Sequence, residues 1–321
     1  MKPELIINRF SSSTNHPLKK IMKTAQPLTH LHVIGVPYRN ADHTAPIVEV
    51  LNAFDASGAY GKAGVPFVYS EVHIAEADKV DVETDNIGRL NGEIADQVAK
   101  ARSQNQAILL TGGNCCHITG VVGGLQDVHG PDVKVGLVWF DAHGDYNTPH
   151  TSLSGMLGGM PVAVCAGLAF PKWRELSHIK SPIPTDRIVM VDVRNLDEAE
   201  EALVRATGVV TAAPAAGFPG VPLEPAIQNL AENCDIIYLH IDSDILDERY
   251  VPNHGTVEPN GPSMDEVMAA LDVVMETGKV AVLALVSVYG EGEGADISIA
   301  SGIEVLERGL ASWNAEGLPT S

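Results

Sequence analysis

The chain has 321 residues, 45% of them apolar and 19% charged, with 21 Lys plus Arg against 41 Asp plus Glu and a formal charge of −20. This is the composition of a globular protein with its own core, and its negative field repels phosphate backbones and anionic lipid while favouring metal cations, so no nucleic-acid or membrane partner is expected. No apolar run approaches the ~18 residues of a membrane span, the first twenty residues lack an apolar h-region with a cleavage site, and four Cys do not make a disulfide framework, so the expected location is cytoplasmic.

Residues 1–28 are polar and broken by Ser11 to Ser13 and Pro17, with a small basic cluster at Lys19 and Lys20. They read as a loosely ordered extension, and residues 29–321 as a single catalytic domain. From Leu31 onward, short apolar runs alternate with segments of helical length. Strands are expected at His32–Val36, Phe67–Tyr69, Ala107–Thr111, Val135–Asp141, Arg187–Val193, Ile236–Asp242 and Val280–Val288. Helices are expected at Asp85–Ala101, Leu223–Glu232, Ser263–Glu276 and Ile299–Trp313, the third opening with a capping box from Ser263 to Glu266. Strands apolar throughout and separated by helices imply a mostly parallel sheet covered on both faces, a three-layer α/β/α sandwich.

Two strand ends carry the chemistry. The first, LVWFDAHGDYN, ends in Asp141, His143 and Asp145 at i, i+2 and i+4. A near-extended chain would turn all three to one face at the carboxyl end of a parallel strand, the edge where such sheets bind ligands. The second, YLHIDSDILD, places Asp242 and Asp244 in the same way. Converging carboxylates are expensive to desolvate unless a cation lies between them. Four Asp and one His are hard oxygen donors with one imidazole, a set that suits Mn²⁺, with Zn²⁺, Fe²⁺, Ni²⁺ or Co²⁺ as alternatives. The surplus of carboxylates over the needs of one ion points to two ions sharing bridging Asp residues.

FDAHGDYN and HIDSDILD resemble the two signature metal motifs of the arginase, or ureohydrolase, family. Gly112-Gly113-Asn114-Cys115 is similar to that family's Gly-Gly-Asp-His, and VIGVPYRNADH to its opening strand. The likeness runs from about residue 31 to 312, with the motifs in the family's order. It implies an arginase-like α/β/α fold, a dinuclear manganese site and hydrolysis of linear amidines, with members often trimers or hexamers. By this resemblance Asp141 and Asp242 bridge both ions, Asp145 completes the first ion's shell, and His143 and Asp244 serve the second. The first ion's remaining ligand falls on Cys115, with His117 as the alternative; the branch acting on hydroxyarginine looks similar at this Cys. Cys116, Cys165 and Cys234 read as small buried hydrophobes. Asn147, Ser152 and Ser154 match positions that hold a substrate α-carboxylate, Asp197 the one that receives an α-ammonium, and Thr256 one near the nucleophile. Glu258 reads equally well as a surface carboxylate.

Two departures bear on the substrate. Gly158 stands where arginases carry a proton-shuttling His, which leaves that task to solvent, to His150 or to a second Asp. Ser287 stands where a guanidinium-binding Glu is expected, with Glu291 and Glu293 in the following loop as candidates to replace it. The expected activity is hydrolysis of an amidine or guanidine C–N bond in a small amino-acid-derived molecule by a metal-bridging hydroxide, with Asp145 as general acid and base. The alternatives are a metal-binding scaffold without turnover and a single-metal deacylase on a related fold.

Overall fold

The computed structural model, which describes residues 25–319, is organised by one sheet of nine strands. They are β1 (Leu31–Val36), β2 (Phe67–Glu71), β3 (Ala107–Gly112), β4 (Val135–Phe140), β5 (Ile188–Val191), β6 (Val210–Ala213), β7 (Val221–Pro222), β8 (Ile236–Asp242) and β9 (Val280–Val286). Their order across the sheet is β7-β6-β5-β4-β8-β9-β3-β1-β2, and every neighbouring pair is parallel. Residues 1–24, most of the expected N-terminal extension, lie outside the described residues. Ala25–Gln26 pairs antiparallel with Leu318–Pro319.

The helices are α1 (Ala45–Ser57), α2 (Glu83–Ser103), α3 (Ile118–His129), α4 (Pro161–Cys165), α5 (Pro171–Leu176), α6 (Glu198–Ala206), α7 (Leu223–Asn233), α8 (Met264–Met275) and α9 (Ala295–Glu316). They sandwich the sheet. Val138 and Phe140 pack into a core with α1, α7, α8 and α9, while Leu137 and Trp139 pack into another with α2, α3, α4 and α5. Side chains on successive strand residues point to opposite faces, so both faces of β4 are buried and its sequence has no polar alternation. Among the described residues no helix is long and apolar enough to cross a membrane.

Several boundaries differ from the sequence-based expectation. β4 stops at Phe140 rather than Asp141, β9 at Val286 rather than Val288, and β5 spans Ile188–Val191 rather than Arg187–Val193. The capping box at Ser263 forms, its amide donating to the Glu266 carboxylate at 2.8 Å. Helices α1, α3, α4, α5 and α6 and strands β6 and β7 were not anticipated. For α3 the reason is Gly120, Gly123 and Gly124, each costing about 1 kcal/mol relative to Ala in a helix. Close packing explains them. A Cβ on Gly123 would stand 1.8 Å from the Ser177 carbonyl oxygen, and one on Gly120 2.5 Å from that of Asn91.

The strand order reverses at the centre of the sheet. The chain leaving β4 turns to β5 on one side, and the chain leaving β8 turns to β9 on the other. The crevice between their carboxyl ends is the favoured ligand position in an open parallel sheet. Asp141 follows β4 directly and Asp242 ends β8.

Candidate metal centre

Asp141, His143 and Asp145 come together, but not by the extended course expected from their spacing. Beyond Phe140 the chain bends: the Asp141 carboxylate accepts the His143 amide at 2.6 Å, and His143 pairs with Asn195 in an isolated parallel bridge. Asp145 then takes a left-handed φ of 46°, a conformation that costs a non-glycine residue about 1–3 kcal/mol and persists only where its surroundings enforce it. The bend, rather than strand alternation, aims the three side chains at one place.

Three groups of potential ligand atoms result, each lying within 4.8 Å of one another: Cys115 with Asp141 and Asp145, Asp141 with His143 and Asp244, and Asp242 with Asp244 and His254. The groups share Asp141 and Asp244. Cys115 Sγ is 2.8 Å from Asp242 Oδ2 and 3.7 Å from Asp141 Oδ2. His117 turns away. Its Nδ1 accepts the Asn114 amide at 3.1 Å, which leaves Nε2–H to donate to the Asn40 carbonyl at 2.8 Å. Burial pulls this ring's pKa down to about 4. Cys116, Cys165 and Cys234 are free, buried and outside the three groups.

The electrostatics show what this convergence costs. Burial, then repulsion from Asp244, Asp145 and Asp242, pushes the Asp141 carboxyl well above the usual range. Burial does the same to Asp145, with Asp242 and Glu200 adding to it against the pull of His143. For Asp242 burial is outweighed by hydrogen bonds from His254, Cys115 and Ser287, and its carboxyl is held low. Burial also acts against a charge on His143, but contact with Asp141 and Asp244 outweighs it and raises the ring to about 12. Carboxylates crowded in this way hold protons or a cation. The donor set fits a cation: carboxylate oxygens, imidazole and a thiol match a borderline divalent metal.

Neighbouring groups fix the ligands. His143 directs Nδ1 toward Asp141 (3.4 Å) and Asp244 (3.1 Å), with Nε2 3.4 Å from Glu258. Glu258 is therefore the orienting carboxylate behind a candidate ligand ring, not a surface group, and it also accepts from Asn195 at 2.5 Å. Arg194, paired with Asp192, donates to the carbonyls of Asp244 (2.9 Å), Ile245 (3.2 Å) and Glu258 (3.1 Å), so one guanidinium ties together the segments carrying Asp244 and Glu258.

A cavity of about 460 Å³ opens over these groups, and Asn147, Ser152, Ser154, Asp197, Gly158, Thr256 and Ser287 all line it. Asn147 donates to Asp197 at 3.3 Å and accepts from Thr151 at 2.8 Å. Asp197 also caps α6 and accepts the Leu153 amide at 3.2 Å. The Ser152 and Ser154 hydroxyls accept the amides of Gly155 (2.9 Å) and Met156 (3.1 Å), which leaves each O–H free to donate. Thr256 donates to Asp244 Oδ2 at 3.4 Å. The Ser287 hydroxyl donates to Asp242 Oδ2 at 2.6 Å. Around Gly158 there is room: a Cβ would meet nothing nearer than Met156 at 3.9 Å. Three candidate substitutes do not reach the site. His150, Glu291 and Glu293 are exposed and outside the cavity lining.

Sequence reasoning missed His254, Arg39 and Tyr289. His254 belongs to an irregular loop where no periodicity marks it, although it lies two residues before Thr256. The Arg39 guanidinium stands 4.9 Å from the centre of the Tyr289 ring at the cavity wall, without an ion pair among the described residues. Nothing in the linear sequence links those two.

Residues 33–309 match the profile described as Arginase family. Among curated proteins, arginase from Bacillus caldovelox is 27% identical over 217 residues, covering 64% of this chain and 71% of that one. Arginase from Entamoeba histolytica is 31% identical over 192 residues, covering 59% and 63%. Among solved structures, Bacillus subtilis arginase superposes with a TM-score of 0.75 at 23% identity, over 88% of this chain and 98% of that one. Formimidoylglutamase from Bacillus subtilis superposes with a TM-score of 0.64 at 16% identity, over 96% of each chain.

Proposed function

The chain belongs to the arginase family of metal-dependent hydrolases acting on C–N bonds of linear amidines, and from that premise we propose a dinuclear centre that cleaves a modified guanidine or formimidoyl group on a small amino-acid-derived substrate. The ligands are Cys115, Asp141, His143, Asp145, Asp242 and Asp244, and the preferred metal is Mn²⁺. The observation carrying this reading is the chain of three largely buried ligand groups joined through Asp141 and Asp244 at the sheet's switch point. A bound pair of divalent ions supplies hydroxide at neutral pH by lowering the pKa of water. Asp145, on the cavity lining, takes the proton released and returns it to the leaving amine. Asn147, Ser152 and Ser154 donate to the substrate's α-carboxylate, and Asp197 accepts from its α-ammonium. Thr256 holds Asp244 through its hydroxyl.

The substrate's reacting end is not a plain guanidinium. Ser287 spends its hydroxyl on Asp242 and offers no carboxylate, and Arg39 adds positive charge to the same wall. A guanidinium placed there loses charged hydrogen bonds worth about 1.5–3 kcal/mol each. The space beside Gly158 admits extra atoms on the reacting group. The same reading makes residues 29–321 one catalytic domain, working in the cytoplasm as a trimer or hexamer, which sedimentation of the purified protein tests.

Elemental analysis with a substrate screen tests the chemistry. Two Mn per chain are expected, with urea-type, ammonia or formamide products scored separately for each amidine offered. One Zn per chain with deacylation, or no bound metal and no turnover, would overturn the proposal.

A further inference from the structure

We propose that Arg39 determines specificity by receiving a carboxylate carried on the substrate's reacting group, distinct from its α-carboxylate. This deepens the function proposed above and rests on it. Arg39 is exposed and lines the cavity, and among the described residues that lining holds no other Arg or Lys. The guanidinium stands over the Tyr289 ring, 4.9 Å from its centre, and makes no hydrogen bond or ion pair among the described residues. An aromatic face holds a cation without using its N–H donors. Those donors form a fork that matches a carboxylate.

The backbone beneath Arg39 is fixed. Tyr38–Arg39 pairs antiparallel with Asp42–His43, and the turn between them passes through Asn40 at a left-handed φ of 53°. Asn40 is fastened to the segment that carries Cys115. Its amide donates to Asn114 Oδ1 at 3.4 Å, its Oδ1 accepts from Asn114 Nδ2 at 2.9 Å, and its carbonyl accepts from His117 Nε2 at 2.8 Å. The His117 ring, turned away from the metal groups, thus braces the turn that presents Arg39. Tyr289 packs on His254 with centroids 5.2 Å apart, and His254 lies 3.3 Å from Asp242. Arg39 Nη2 lies beside Gly255, where a Cβ would stand 3.9 Å from it. These contacts put the cation on the wall it shares with Ser287, next to Asp242. The proposed head-group residues form a separate set, with Asn147 donating to Asp197 at 3.3 Å. Among the described residues no hydrogen bond or ion pair joins that set to Arg39, Ser287 or Tyr289. A cation where a plain guanidinium would need a carboxylate inverts the charge the wall selects, which assigns the anion to the reacting group.

The test uses two probes with the same α-amino-acid head: Nω-carboxymethyl-L-arginine, and Nω-propyl-L-arginine as its counterpart without the added carboxylate. Calorimetry on the Mn²⁺-loaded full chain reads their affinities, as Kd for a bound probe or KM for one that is turned over. The carboxymethyl probe should bind about ten- to a hundredfold more tightly, the value of one charged hydrogen bond. Arg39→Gln should abolish that preference by weakening the carboxymethyl probe, while the propyl probe keeps or gains affinity. Arg39→Lys, which retains the charge without the fork, should keep part of it. Equal affinity of the two probes for the unmodified chain, or a preference that survives Arg39→Gln, would overturn the inference while leaving the proposed function standing. Equal weakening of both probes in Arg39→Gln would also overturn it, by moving Arg39 to the α-carboxylate. Binding of neither probe by a chain holding two ions would overturn the amino-acid-derived substrate and this inference with it.

Discussion

The floor of the cavity gathers four carboxylates, an imidazole and a thiol at buried strand ends, whereas its wall at Arg39, Ser287 and Tyr289 presents a cation, a hydroxyl and a phenol. The floor is electrostatically costly: Asp141 and Asp145 are pushed toward their protonated forms, and neighbouring groups hold each side chain in place. The wall carries no such burden. Ser287 satisfies its hydroxyl on Asp242, and Arg39 rests on an aromatic face. On the proposed function, the floor sets what reaction is available and the wall which molecule is admitted to it. On the same proposal, a change in the wall is expected to alter the choice of substrate and a change in the floor to end the reaction.

The sharpest break of that comparison is in the floor. Asp141→Asn or Asp242→Asn should lose both ions and lower turnover about 10³-fold or more, since metal-centred stabilisation is worth several kcal/mol. Two retained ions in either variant, by elemental analysis, would contradict it. The same Asp141→Asn change should raise the thermal midpoint of the metal-free protein. The sign comes from proton counting. A carboxyl whose folded-state pKa is raised binds more protons folded than unfolded, so stability falls as pH climbs from the ordinary Asp value through the raised one. Asn removes that loss, and the gain over wild type should widen with pH in that interval.

Next in size is the pH dependence of metal uptake. Ions must displace protons from Asp141 and Asp145, so affinity should rise with pH, by up to about tenfold per unit for each proton displaced, and level off above the raised pKa values. Affinity flat between pH 5 and 8, by competition with a chelator, would show that the floor is ionised before the metal arrives. Metal should likewise shield Cys115 from alkylation while leaving His117→Ala able to hold both ions, because His117 faces Asn40. A wall change comes next. Ser287→Glu should raise arginine turnover by about ten- to a hundredfold, the value of one or two charged hydrogen bonds. The smallest expected effect is at the far end of the cavity, where Asp197→Asn should raise KM a few-fold with kcat nearly kept, the α-ammonium being held equally before and during reaction.

The sheet was legible because buried parallel strands are written as apolar runs, and Val135 to Phe140 or Ile236 to Asp242 leave little else to propose. Asp141, His143, Asp145, Asp242 and Asp244 stand at or beside the ends of those runs and were singled out with them, whereas Cys115 was singled out by resemblance to a family motif. What escaped notice is held by tertiary packing. Helix α3 survives its glycines only because α2 and Ser177 approach it closely. The positive φ of Asp145 replaces the extended course that spacing implied. His254 reaches the cavity from a loop and Arg39 from a two-residue strand, and neither position is encoded in periodicity. Asp197 was readable as a substrate contact but not as the cap of α6, which it also is.

The strand order also governs what the chain can do while it is being synthesised. β1, β2 and β3 form one block, and β4, β5, β6 and β7 another; no ladder joins them until β8 and β9 are inserted between β4 and β3. A growing chain that ends before residue 236 therefore holds two half-sheets, each with a bare edge at the future centre of the fold. Bare edges are templates for wrong pairing. Cys115 belongs to the first block, Asp141 to the second, and Asp242 to the strand that joins them. The full set of proposed ligands is brought together only after the last two strands have closed the sheet.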